Sequence, residues 1–133
     1  MKHLFTFLLV AISAISFAQG NLQFNQVLNF DYSATLSAYG NAPVGTLTVP
    51  PDKVWKITAA SSRDLGPSHF STSIAVNNHL LYEYRYVANS AAVSNNTPYW
   101  IGTGTHVVKL FNLYSSGISA AGSLSIIEFN VIP

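Results

Sequence analysis

The chain predicts an all-β fold, an antiparallel sandwich of about eight strands with jelly-roll-like connections. Three observations carry this. Apolar and polar residues alternate with period two in segment after segment, no window shows a convincing 3.6-residue repeat, and turn signals recur every 8 to 12 residues. An immunoglobulin-like sandwich is the main competitor, but its usual cysteine pair is missing, because the chain holds no cysteine at all.

The first eighteen residues stand apart. Lys2 and His3 form a short basic start, and Leu4 to Ile15 form an apolar run interrupted only by Thr6 and Ser13. The small residues Ser16 and Ala18 then precede Gln19. This is the layout of a secretory signal peptide with its cut after Ala18, and the run is shorter than the roughly 20 apolar residues that a membrane-spanning helix needs. No transmembrane segment is expected. Removing 18 of 133 residues leaves 115, the size of a single domain, over 19–133. Export places the product outside the cytoplasm, in an extracellular, periplasmic or cell-surface location. An exported domain without disulfides must be held by its core alone, and this leans towards a bacterial source.

Lys2 leaves with the leader, so five Lys or Arg remain against five Asp or Glu, a formal net charge of zero. Capture of nucleic acid requires clustered cations that displace counterions, and none is present. A nearly neutral protein is instead prone to meet a copy of itself or a surface. The partners expected are therefore a second copy or a cell-surface glycan.

Along the chain, Leu22, Phe24, Gln26, Leu28 and Phe30 fall on one side of an opening strand, with Gln23, Asn25, Val27 and Asn29 on the other. A hairpin is expected from Val44 to Ser62, with Leu47, Val49, Trp55, Ile57 and Ala59 inward and a turn at Pro50-Pro51-Asp52-Lys53. Residues 63–69 read as a loop. Phe70 to Val76 and Leu80 to Val87 form a second hairpin around Asn77-Asn78, since asparagine tolerates the positive φ of a type I′ turn. Residues 88–97, rich in Ser, Asn and Ala, read as an exposed loop. Tyr99 to Ile101 is expected to pair, through Gly102-Thr103-Gly104, with Thr105 to Leu113. A loop at 115–122 then precedes a last strand, Ser123 to Ile132, on which Ile127, Phe129 and Val131 share a face.

The stretch Val49-Pro50-Pro51-Asp52-Lys53-Val54-Trp55-Lys56-Ile57 resembles a VPxGKVWKI segment of short, secreted, largely uncharacterised β-sandwich proteins of Bacteroidota. Leu124-Ser125-Ile126-Ile127-Glu128-Phe129 is similar to their last strand. The resemblance covers about fifteen residues and implies export and a sandwich fold, with no catalytic or binding residue carried over. Asp52 stands where that segment has glycine.

Chemistry is sparse. Gly117-Ile118-Ser119-Ala120-Ala121-Gly122 misses the G-x-S-x-G elbow by one position, and a Ser-His-Asp site built on Asp64 and His69 lacks the strand-turn-helix context that such a motif needs. His69, His79 and His106 show no metal-ligand spacing, and Asp31, Asp52 and Asp64 form no calcium loop, so no metal or cofactor is expected. Glu83 and Glu128 both fall in strands, where two carboxylates can flank a glycosidic bond. The plainer reading pairs Glu83 with Arg85 or Lys109. Asn95-Asn96-Thr97 matches a glycosylation sequon by loop composition.

The aromatic residues are the most suggestive. Tyr82, Tyr84 and Tyr86 alternate with Glu83 and Arg85, so three phenol rings line one face of one strand. They either stack on sugars or a partner, or complete the core while the charged residues face water. Trp100, next to Tyr99 and close to Gly102 and Gly104, is the first choice for an exposed contact. The functional expectation is a secreted, non-enzymatic binding or structural module that self-associates, with loops 63–69, 88–98 and 115–122 as its contact surface. The alternatives are a carbohydrate-binding module using Trp100, Tyr99, Tyr82, Tyr84 and Tyr86, and, last, a small hydrolase dependent on His69 or Glu83.

Overall fold

The computed structural model describes residues 21–66, 70–87 and 90–132. The leader expected at 1–18 and His69 lie outside them. The described residues form nine strands and no helix: β1 (Asn21–Leu36), β2 (Asn41–Val49), β3 (Lys53–Asp64), β4 (Thr72–Val76), β5 (His79–Val87), β6 (Ser90–Asn95), β7 (Tyr99–Ile101), β8 (Gly104–Asn112) and β9 (Ile118–Ile132). They make two antiparallel sheets, ordered β1-β9-β3-β7 and β2-β8-β4-β5-β6. Without β6, two four-stranded sheets remain whose strands alternate between layers in the manner of a jelly roll.

The ninth strand is β6. Its Ser, Ala and Asn residues are all exposed, and it pairs with β5 from Tyr82↔Asn95 to Val87↔Ser90. The expected loop at 88–97 is thus a strand over most of its length. An edge strand wetted on both faces carries no alternation by which to recognise it. The expected loop at 115–122 is likewise shorter, because β9 begins at Ile118, where Ile118 and Ala120 already point into the core. At the other end of the 63–69 loop, β3 continues through Asp64.

Two expected hairpins are crossings between layers. β2 pairs with β8, whereas β3 pairs with β9 and β7, so the Pro50–Lys53 turn carries the chain from one sheet to the other. The passage from β7 to β8 does the same. Pro51 and Asp52 occupy the centre of the first turn, where the Lys53 amide donates to the Pro50 carbonyl at 3.3 Å and Asp52 adopts φ 61°. A positive φ at this position defines a type II turn, which explains why glycine suits it. The Asn77-Asn78 hairpin forms as expected, with φ of 50° and 66° and Val76 opposite His79.

Bulges re-aim side chains at four places. An extra residue between Phe24 and Gln26 reverses the start of β1, so Leu28 and Phe30 face the core while Leu22 and Phe24 face outward. Another between Ile57 and Ala59 turns Ala60 inward and leaves Ala59 exposed, contrary to the expected phase. Others interrupt β2 at Pro43/Gly45 and the β4–β5 pair at Ile74/Ala75. A bulge places two residues opposite one, and every side chain beyond it changes face.

The core lies between the sheets, around Leu47, Ile57, Ile74, Leu110, Leu124 and Ile126, all fully buried or nearly so. Gly122 sits in its middle. A Cβ there would lie 2.8 Å from Leu110 Cδ2, 3.0 Å from Ile74 Cδ1 and 3.2 Å from the Ser61 carbonyl. Because Leu110 and Ile74 have no room to withdraw, Gly122→Ala is expected to cost about 1–3 kcal/mol by overpacking. Urea unfolding followed by tryptophan fluorescence checks this: the midpoint falls while the slope stays constant.

Candidate functional site

The aromatic residues singled out in the sequence divide between two surfaces. On β5, Tyr82, Tyr84 and Tyr86 do share a face, and cross-strand partners identify it as the inner one, with Tyr82 opposite Ile74 and Tyr84 opposite Thr72. Tyr82 packs against the core, Tyr84 is half-buried, and Tyr86 is 41 % exposed as β5 runs out beyond the opposite sheet. Glu83 and Arg85 face outward and bond each other through the guanidinium Nε. Lys109 donates instead to Asn78 Oδ1 at 2.8 Å.

Tyr99 and Trp100 point to opposite sides of β7. Tyr99 lies opposite Ile57 on the inner face, half-buried and stacked on the His79 ring at 4.1 Å. Trp100, opposite Lys56, faces outward and is 44 % exposed. Its ring meets Phe129 at 5.5 Å between centroids, and the Lys56 ammonium lies 5.2 Å from its centre. This is a cation–π contact that anchors the indole without covering it.

Trp100 thereby belongs to a patch that sequence reasoning missed. On the outer face of the four-stranded sheet, Leu22, Phe24 and Val27 of β1 and Val131 of β9 are each 41–59 % exposed, and Phe129 lies among them opposite Phe24 and Val54. The bulge beside Asn25 hid it, since uninterrupted alternation would send Leu22 and Phe24 inward. Further along the same face the character changes to Asn29, Asp31, Ser33, Ser61 and Ser123, with Ser61 Oγ and Ser123 Oγ 2.7 Å apart. The sheet is apolar at the end where β1 begins and polar towards the middle.

Beneath the apolar end, the inner face is polar. Glu128 is 4 % exposed, and its Oε2 accepts the Trp55 indole N–H at 2.7 Å. Its Oε1 accepts the Gln26 amide at 3.0 Å and the Asn25 amide. Burial pushes the Glu128 carboxyl up, but the donors from Asn25, Trp55 and Gln26, with the Lys53 charge nearby, outweigh it and hold the group below the ordinary glutamate range. Glu83, on the outer face of the other sheet, does not join it, so the two glutamates do not form a pair across a cleft.

The described histidines act as braces. His106 Nε2 donates to the Gly102 carbonyl at 2.8 Å and Nδ1 accepts from Asn77 Nδ2 at 2.7 Å, tying the β4–β5 turn to the β7–β8 connection. Among the described residues no group of three His, Asp or Glu is placed to hold a metal.

A second surface lies at the side of the sandwich, where the end of β3 faces β5. Ser62, Arg63, Asp64, Phe70, Tyr82 and Tyr84 line a cleft of about 290 Å³ there.

No protein-family model matches the chain, and no curated protein matches it. Among solved structures it is similar to the Drosophila NLP core, described for pentamer formation and histone binding, at 13% identity and TM-score 0.35 over 71% of this chain and 96% of that one. A Bacillus endospore appendage, from a family of disulfide-linked pili, matches at 10% identity and TM-score 0.37 over 86% and 95% of the two chains. FLHE matches at 7% identity and TM-score 0.37 over 80% and 99%. Scores this low say nothing about what this chain does.

The depressed Glu128 carboxyl gives a pH dependence of known sign. A group whose acidity increases on folding stabilises the native state above its unfolded pKa, about 4.3 for glutamate, and loses that contribution as pH falls through the lower native value. Glu128→Gln is expected to lose about 1.5–3 kcal/mol at neutral pH, the worth of charge-assisted hydrogen bonds. Below about pH 4.3 its deficit against the wild type shrinks, which urea midpoints taken from pH 7 down to acid will read.

Proposed function

We propose that the chain is a secreted, non-enzymatic binding or structural module that associates with a second copy of itself through β1 and the apolar end of its sheet. The observation that carries this reading is the outward set Leu22, Phe24, Val27, Trp100 and Val131, a contiguous apolar surface on a protein with few charges.

The identity of the partner rests on the edges. Four strands end the two sheets, and three of them are poor templates for another chain. β7 is three residues long, β2 contains Pro43 and a bulge, and β6 is only six residues long. β1 runs for 16 residues, holds no proline or lysine, has Asp31 as its one charge, and among the described residues pairs only with β9. Its one guard is the bulge between Phe24 and Gln26, and a long edge without proline or lysine invites pairing. Two copies of β1 laid antiparallel about a two-fold axis complete each other's backbone hydrogen bonds and bring both apolar patches to one side. The leader read from residues 1–18 supplies the route out of the cell on this reading.

Size-exclusion chromatography with light scattering on the processed protein tests it. The wild type is expected as a dimer or larger species, and Val27→Lys, which sets a charge in the patch without touching the core, shifts it to monomer. A wild-type monomer at the highest soluble concentration overturns the proposal.

A further inference from the structure

We infer that the tip of the sandwich formed by the β1–β2 and β8–β9 connections is a stacking platform for a neutral polysaccharide chain, with Tyr39 and Tyr114 as its contact rings. It lies beyond Leu36, at the far end of β1 from Leu22 and Phe24, and is separate from the self-association surface.

The fold does not account for Tyr39. It is the third residue of the turn 37–40, closed by the Gly40 amide donating to the Ser37 carbonyl at 3.0 Å, and its φ is 49°. That position favours glycine or asparagine, and a bulky side chain there strains the backbone. The other described non-glycine residues with positive φ are Asp52, Asn77 and Asn78, the types that bear it most easily. Tyr39 departs from this pattern, and its ring gives nothing back to the core. At 72 % it is the most exposed large apolar or aromatic residue among those described. Backbone strain of this kind gathers at sites where a residue serves contact and not folding.

The platform is built in advance. The Tyr39 amide donates to the Tyr114 carbonyl at 2.9 Å, which makes the two tyrosines backbone neighbours. Asn112, itself buried, locks both connections. Its Nδ2 donates to the Ser37 carbonyl at 2.8 Å and to the Ser116 carbonyl at 2.6 Å, and its Oδ1 accepts the Tyr114 amide at 2.8 Å. Its own amide donates to the Gly40 carbonyl at 2.8 Å. Phe70 stacks on Tyr114 at 4.0 Å between centroids and still leaves that residue 38 % exposed. Backbone fixed beforehand has little freedom left to lose when a ligand settles on it.

The surroundings select the ligand. Beside the two rings the connections expose Ser37, Ala38, Ser115 and Ser116, and no residue of 37–40 or 113–117 carries a charge. A charged ligand finds no counter-charge there. A protein partner of standard size covers about 800 Å² on each side and would have to extend well past these two short loops, whereas two or three sugar rings would not. A neutral sugar chain matches what is present: its C–H faces lie on the phenol rings, and its hydroxyls exchange hydrogen bonds with those of serine and tyrosine.

Amide chemical-shift titration of the ¹⁵N-labelled processed protein provides the test, using cellohexaose, xylohexaose, mannohexaose and chitohexaose, with a hexaproline peptide as the comparator. At least one oligosaccharide is expected to give saturable shifts at residues 37–41 and 113–117. Tyr39→Asn is expected to weaken that binding at least tenfold while leaving the urea midpoint equal to or above the wild-type value, because asparagine tolerates the positive φ and the ring it replaces is not packed. A residue that merely supported the fold would lower both together. Val27→Lys leaves the titration unchanged, so the dimer contact and this site are read separately. No saturable shift with any oligosaccharide, shifts with hexaproline alone, shifts that map outside the tip, or a lowered midpoint or undiminished binding in Tyr39→Asn would each overturn the inference.

Discussion

How closely the two sheets approach along β9 sets everything else in this molecule. The strand lies inside its sheet between β1 and β3, and its inward side chains grow from Ala120 and Gly122 to Leu124 and Ile126 before ending on Glu128. The layers are therefore nearest at Gly122, where Leu110 and Ile74 reach across from the other sheet, and the space widens towards both ends. At one end the widening is occupied by the Glu128 cluster, and at the side by the cleft beneath Tyr82 and Tyr84. Without disulfides, this close contact of apolar layers is what holds the fold, and the polar features have room only where it relaxes.

The Glu128 cluster shows what such a fold does at its margin. A carboxylate at 4 % exposure would be costly on its own, but here it gathers an indole and two amides from β3 and β1. It thereby fixes the orientation of Trp55 and pins the bulge at the start of β1. The residues that bulge exposes are the ones on which the self-association reading depends, so the interior of this end specifies its exterior.

Much of the architecture was legible in the sequence, and the illegible parts have specific causes. Period-two alternation located most of the strands because burial on one face leaves that imprint, and Asn77-Asn78 announced its turn because few residues tolerate positive φ twice in succession. Pairing was another matter. Val49 and Trp55 point inward whether their strands are neighbours or face each other across the core, so sequence could not tell a hairpin from a crossing. Bulges were invisible for a similar reason, as the extra residue at Asn25 or at Thr58 has no compositional mark. Trp100 was identified as exposed by its place at a strand end near glycines, while Leu22 and Phe24 were assigned inward by an alternation that the backbone breaks. The tyrosine stripe was found, but its dual character was not: whether a ring on an inward face is core or cleft depends on where the opposite sheet stops.

One feature of the outer face reaches beyond pairwise contacts. The four-stranded sheet passes from hydrocarbon at Leu22, Phe24 and Val131 to hydroxyls and carboxamides at Asn29, Ser61 and Ser123 along a single rigid surface. Because both regions belong to one pleated sheet, neither can turn away from the other, and any contact made by the apolar end also fixes the direction in which the polar middle faces.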